Sequence, residues 1–299
     1  MVTPLATLGL VAAFGSVEAE VEKMTPREKA AMVVVSGLPA PAGVAGVIVR
    51  RWDRALPRPR RALVFVDQEG GPVRAFPGLP PWRAASSYRS AAQARSAGRE
   101  TGEALRREGV HVDLAPVLDS ADGPLGSRHF REPALGVAFG RGLREGGAGA
   151  CAKHFPGLGS TPISTDDAAS VEGVVRPREL AAFRAAVRAE IPCVMMSHAF
   201  YRRLGRGRAS LEPGAYRLLR SLGFDGVAIT DSLNFLRAAP ADRWARRAVR
   251  AGADLLLFTH PSYARRAVEA LIPLAAAGEL DIHVTRVLRL RRALTRSSR

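Results

Sequence analysis

Two cysteines in 299 residues are too few for a disulfide framework or for zinc-finger spacing. Cys151 and Cys193 each lie in an apolar run, Gly-Ala-Cys-Ala and Ile-Pro-Cys-Val, where a free thiol behaves as a small buried hydrophobe. Aromatic residues make up only 6% of the chain, which leaves little surface for stacking single-stranded nucleic acid. No stretch reaches the roughly 18 apolar residues of a membrane span, so none is predicted. Acidic residues are outnumbered, 28 Asp and Glu against 44 Lys and Arg, for a net charge of +16. That excess is scattered as arginine along helix-like stretches (Arg202-Arg203, Arg246-Arg247, Arg291-Arg292) instead of forming one basic block, so nucleic-acid binding is not expected. The same charge suits an anionic polymer such as cell wall, or reflects compositional bias alone. No G-x-G-x-x-G turn follows the first apolar run, which argues against a doubly wound dinucleotide-binding sheet.

What is present is regular. Short apolar runs recur at Met32 to Ser36, Gly43 to Val49, Leu63 to Asp67, Val110 to Leu118, Gly149 to His154, Ile191 to His198, Gly226 to Asp231 and Ala253 to Phe258. They lack polar alternation, as parallel strands buried on both faces do. Amphipathic stretches separate them; Pro177 to Glu190 opens with Pro177 and Glu179, the chemistry of a helix start. The expected fold is an α/β single TIM-type (β/α)8 barrel. The connection from Val49 to Leu63 is short and carries Pro57 and Pro59, so one unit is expected to be trimmed. Residues 1–22 form an N-terminal segment and 23–299 the barrel domain. Within the former, VTPLATLGLVAAFG (2–15) has the length of a signal-peptide core, yet no Lys or Arg precedes it. Signal and helix both stay open, and with them cytoplasmic or envelope localisation.

Ionisable residues fall at the strand ends. Asp67 ends the third strand, Asp119 follows the fourth, Lys153 and His154 end the fifth, His198 ends the sixth and Asp231 the seventh. In a barrel these positions converge on one mouth.

The strings carrying them are specific. VDQEGGPVRAF (66–76), LAPVLD (114–119), GSRHF (126–130), AKHFPGLG (152–159), MMSH (195–198) and GFDGVAITDSLNF (223–235) resemble, in order, motifs of glycoside hydrolase family 3, and most closely its single-domain β-N-acetylhexosaminidase branch. The resemblance runs from MTPREKAAMVV, at Met24, to the C-terminal VTRVLRL. It implies a retaining glycosidase that acts on a carbohydrate through a covalent glycosyl-enzyme intermediate. Asp231 matches the family nucleophile, and a carboxylate at a barrel mouth near Lys153 would be held ionised. Asp225 precedes the strand and is read as a turn or cap residue at the opposite rim. Asp67, Arg128, Lys153 and His154 match positions that hydrogen-bond the first sugar. His198 is read as a pocket residue or as a core histidine bonded to backbone, and His129 as solvent-facing. Gly70 and Gly71 would permit a tight turn that points Asp67 into the mouth. No metal or organic cofactor is expected, because two carboxylates suffice for the reaction.

Two departures stand out. The hexosaminidase branch carries an Asp-x-His pair after KHFPGHG, its His being the acid/base. Here GLGSTPISTDDAAS (157–170) places Ser164 and Asp166 at those offsets, and Leu158 replaces the second His of KHFPGHG. Asp166 is the expected acid/base, with Asp167 its neighbouring alternative and an impaired sugar-binding homologue the third outcome. An anionic base repels phosphate, so water is the expected acceptor. Second, Ala75 stands where the family has Arg, with Arg74 one place earlier, so Arg74 is not expected to make the family's sugar contact. The leading substrate is terminal β-linked N-acetylhexosamine, including peptidoglycan fragments, with β-glucosidase-like specificity as the alternative. A Schiff-base role for Lys153 is a further, separate reading.

Overall fold

The computed structural model describes residues 16–236 and 240–296; the signal-like stretch 2–15 lies outside them. Helix α1 (Val17–Lys23) is capped by Ser16 Oγ, which accepts the N–H of Ala19. Helix α2 (Pro26–Ala31) follows with a capping box between Thr25 and Glu28 and Pro26 in its first turn, the arrangement that satisfies free N–H groups at a helix start.

Eight parallel strands then form one sheet: β1 (Val34–Ser36), β2 (Gly46–Ile48), β3 (Leu63–Val66), β4 (Val112–Asp113), β5 (Gly149–Phe155), β6 (Cys193–Met196), β7 (Val227–Thr230) and β8 (Leu256–Phe258). Neighbours pair in sequence order, β8 also pairs β1, and a parallel bridge between Ile229 and Leu255 closes the ring. Each predicted run holds one of these strands, β5 running one residue further to Phe155, and every strand residue is buried. Strand β4 is short, and its line resumes at a bridge between Val117 and Lys153.

Helices α3 (Ala91–Arg107), α4 (Pro133–Glu145), α5 (Pro177–Arg188), α6 (Pro213–Ser221), α7 (Ala241–Ala251), α8 (Pro261–Ala276) and α9 (Asp281–Arg296) cover the strands. Helices α3 and α4 touch backbone to backbone: a Cβ on Gly142 would lie 2.0 Å from the carbonyl oxygen of Arg95, so that crossing admits only glycine. The trimmed connection between β2 and β3 contains no helix, as expected, and the one between β1 and β2 contains none either. Two units, not one, are therefore reduced to loops, with α2 and α8 packing at that side of the ring.

The two cysteines depart from the free-thiol expectation. Cys151 and Cys193 are register partners on β5 and β6 and are joined by a disulfide. Each reads alone as an apolar residue; only strand pairing shows that they are neighbours. None of the described helices is long and apolar enough to cross a membrane.

Candidate active site

The C-terminal strand ends gather the polar residues. Just past β3 the chain makes a small antiparallel hairpin, Gln68–Gly70 with Val73–Arg74. Gly70 and Gly71 have φ of 99° and 55°, and a Cβ on Gly70 would sit 2.3 Å from the carbonyl oxygen of Arg83, so both conformation and space call for glycine. The turn brings three consecutive polar side chains to different tasks. Gln68 Nε2 donates to the carbonyls of Phe76, Leu79 and Pro80 and holds the following loop. Asp67 stays open to solvent with its side chain 44% exposed, and Glu69 is sealed.

Glu69 is the hub. Its carboxylate receives Nε and Nη2 of Arg128, each at 2.9 Å, and lies 2.6 Å from Lys153 Nζ. Burial alone would raise its pKa, but Lys153 and Arg128 outweigh that and hold it at about 2. Lys153 also donates to Asp67 at 2.7 Å. Burial works against its charge, and the carboxylates of Asp67 and Glu69 more than offset this, so the ammonium is held above its ordinary range. A permanently charged, ion-paired lysine is a poor Schiff-base nucleophile. Reading the residues one by one had missed Glu69, although it stands in the DQEGG string beside Asp67. A buried Lys and Arg at one mouth require such a counter-charge.

Below this cluster, Asp113 at the end of β4 is fully buried. Its Oδ1 accepts the N–H of Gln68 at 2.9 Å, while Oδ2 has no partner. Burial raises its pKa to about 8, with the negative charges of Asp67 and Glu69 adding to that and Lys153 opposing. The shift favours its protonated form near pH 7.

His154 is fixed by Asp119, whose Oδ2 lies 2.7 Å from Nδ1 and whose Oδ1 accepts the N–H of Leu158 at 2.7 Å. Since the carboxylate accepts, Nδ1 carries the hydrogen and Nε2 is the free nitrogen. His198 is bonded at both nitrogens: Nε2 donates to the carbonyl of Ser232 at 3.0 Å and Nδ1 accepts from Ser210 Oγ at 2.7 Å. Burial lowers its pKa against the pull of Asp231. His198 is thus a core histidine bonded to backbone, as one of its two readings has it, and it stands in the field of Asp231.

Asp231 follows β7, and its Oδ1 accepts the N–H of Ser232 at 2.7 Å. Burial would raise its pKa; the imidazoles of His198 and His154, the Ser232 N–H and Lys153 together bring it below the ordinary carboxylate value. The sequence had assigned that role to Lys153, which acts behind the two histidines. Asp225 lies before the strand at the other rim, 81% exposed and 3.6 Å from Arg286, as its position predicted.

The loop after β5 carries Asp166. Its backbone N–H donates to Ser164 Oγ at 3.2 Å, and Ser164 is buried. Removal of water on one side of the Asp166 carboxyl raises its pKa, the charge of Asp231 raises it further, and His154, Arg128 and Lys153 pull the other way. His154 and Lys153 thus act on both carboxyls. Glu179, at the start of α5, braces the loop: its Oε1 accepts N–H groups from Gly159 at 2.7 Å and Ser120 at 3.3 Å. Asp167 donates its N–H to the Ser164 carbonyl and, like Asp166, is exposed.

Arg74 braces its own hairpin, donating to the carbonyls of Gly71 and Pro77, in line with its displacement from the family's sugar-contacting position. One expectation changes. His129 does not face solvent freely; it is half-buried and its Nδ1 lacks a partner. Among the described residues no group of three His, Cys, Asp or Glu could hold a metal ion.

In sequence and in fold the chain is similar to known glycosidases. Residues 47–290 match the model of the glycosyl hydrolase family 3 N terminal domain. A beta-hexosaminidase of Methylococcus capsulatus is 33% identical over 238 residues, covering 70% of this chain and 70% of that protein. A family 3 beta-N-acetylglucosaminidase from Paenibacillus superposes with a TM-score of 0.82 at 27% identity, covering 92% of this chain and 64% of that one. A beta-N-acetylhexosaminidase from Beutenbergia cavernae superposes with a TM-score of 0.78 at 27% identity, covering 90% of this chain and 99% of that one. Motif order, barrel and sequence relatives agree: the chain belongs to glycosyl hydrolase family 3 and is a glycosidase.

Proposed function

We propose that the chain is a retaining β-N-acetylhexosaminidase in which Asp231 is the nucleophile and Asp166 the general acid/base. One observation carries the assignment of roles: two carboxyls that both feel His154 and Lys153 are pushed in opposite directions, Asp231 down and Asp166 up. A pair separated in this way supplies an anion to attack and an acid to protonate.

In the first step an Asp231 oxygen bonds to the anomeric carbon as the bond to the leaving oxygen breaks, and Asp166 gives that oxygen its proton. In the second, Asp166 takes a proton from water, whose oxygen attacks the anomeric carbon and releases Asp231. Net retention follows from two displacements. Asp67, the most exposed member of the Lys153 cluster, accepts from sugar hydroxyls, while Arg128 supplies a donor and the free Nε2 of His154 an acceptor. Lys153 and Glu69 hold Asp67 and Arg128 in place. As Asp166 is anionic during the second step, it repels phosphate and favours water as acceptor.

The named relatives support N-acetylhexosamine as the sugar. The charge of +16 suits fragments shed from an anionic wall, so peptidoglycan-derived saccharides are the proposed natural source.

Incubation with a 5-fluoro N-acetylglucosaminyl fluoride, followed by peptide mapping, tests the reading. A label on Asp231 is expected. A label on another carboxylate, or turnover that survives in D231A, would falsify it. Faster hydrolysis of an aryl β-glucoside than of the aryl β-N-acetylglucosaminide would move the specificity to β-glucosidase.

A further inference from the structure

A second concavity lies at the rim opposite Asp231. About 620 Å³ of space opens where Gly149 starts β5 and Pro192 precedes β6, and α9 contributes an apolar wall through Leu290 and Leu294. Four guanidiniums line it, those of Arg95, Arg141, Arg144 and Arg188, against the carboxylates of Glu145 and Glu190.

The charges do not balance. Arg95 grips Glu145 through Nε and Nη2, and Arg144 reaches Glu190 at 3.2 Å and donates to the carbonyl of Ala189. Arg141 and Arg188 make no hydrogen bond or ion pair with any described residue. Glu145 feels Arg99 and Arg141 as well as Arg95, so one carboxylate faces three cations. Arg188 sits in the last turn of α5, where a cation offsets the helix dipole. Arg141 lies inside α4 and has no such task. A cleft with an excess of one sign of charge concentrates counter-ions, and a guanidinium fork fits phosphate and carboxylate oxygens in pairs.

We propose that this cleft binds a compact ligand carrying two or more anionic groups, a diphosphate or a polycarboxylate, held by Arg141 and Arg188. The site is separate from the glycosidase mouth and does not depend on its mechanism.

Calorimetric titration of the full chain with pyrophosphate, and separately with citrate, at about 0.15 M salt, tests this. Saturable binding of at least one probe is expected, weakened about tenfold or more in both R141A/R188A and the length-preserving R141Q/R188Q. R265A/R266A, which removes two exposed arginines on α8, should leave it unchanged. Binding of pyrophosphate alone assigns the site to phosphates, and of citrate alone to carboxylates. Absence of saturable binding for both probes, retention of affinity in the R141 and R188 variants, or equal losses in R265A/R266A would overturn the proposal.

Discussion

Lys153 Nζ lies 2.6 Å from Glu69 Oε1, and both side chains are sealed, 3% and 2% exposed. Two opposite charges removed from water must each find a partner, and here the pair adds Arg128 on one side and Asp67 on the other. The cluster therefore joins the ends of β3 and β5 to the segment carrying Arg128. It leaves Asp67 as the carboxylate that meets solvent and sugar.

Removing Glu69 should be costly to folding. E69Q leaves Lys153 buried with one partner fewer and is expected to destabilise by about 3–5 kcal/mol. The wild-type contribution depends on pH: Glu69 is depressed from 4.5 to about 2, so its stabilisation is complete above pH 4.5 and disappears as pH falls toward about 2, on the order of 3 kcal/mol in all. Urea denaturation of E69Q and wild type at pH 7 and pH 3 measures both effects. Equal midpoints at pH 7 would remove Glu69 from its central place.

Asp113 should behave in the opposite sense. Its folded pKa is raised to about 8, so the folded state holds a proton that the unfolded chain has released, and stability falls as pH rises between about 4 and 8. D113N abolishes that loss while keeping an acceptor for the Gln68 N–H. The melting temperature of D113N relative to wild type should climb by about 2 °C or more between pH 5 and pH 8. A constant difference would mean that Asp113 is ionised throughout.

Asp166 can be separated from Asp231 by leaving group. A dinitrophenyl glycoside needs little protonation, so D166A should retain most of its first-step rate on it, whereas on an alkyl or saccharide aglycone the loss should reach about 10²–10⁴-fold. Azide can replace the base of the second step and should restore turnover with formation of a β-glycosyl azide. Equal losses on all leaving groups would transfer the role elsewhere, with Asp167 the next variant to measure.

The pH profile follows from the same pair. Activity needs Asp231 ionised and Asp166 protonated in the free enzyme, so kcat/KM should fall on the acid side through a pKa below 3.8 and on the alkaline side through one above it. These are apparent values of a coupled pair. D166N should flatten the alkaline limb only; an unchanged alkaline limb in D166N would count against the assignment.

Strand positions were legible because burial on both faces leaves continuous apolar runs, and a barrel places every strand end at one mouth. Asp67, Lys153, His154, His198 and Asp231 could therefore be assembled from their places along the chain. Glu69, Asp113 and Glu179 could not, for each is defined by what it touches: a Lys 84 positions away, a hairpin N–H, and two loops brought under α5. The two cysteines illustrate the same limit, since local composition fixes burial but not which strand lies alongside.

By itself the sequence determined the barrel, the family resemblance, the carboxylate at the end of β7 and the absence of the expected loop histidine, because these depend on periodicity and local identity. The tertiary structure alone decided the electrostatics. Whether a carboxyl is held low, like Asp231 and Glu69, or high, like Asp166 and Asp113, depends on water removed and charges placed within a few ångströms by distant segments. Chain order carries no record of those distances.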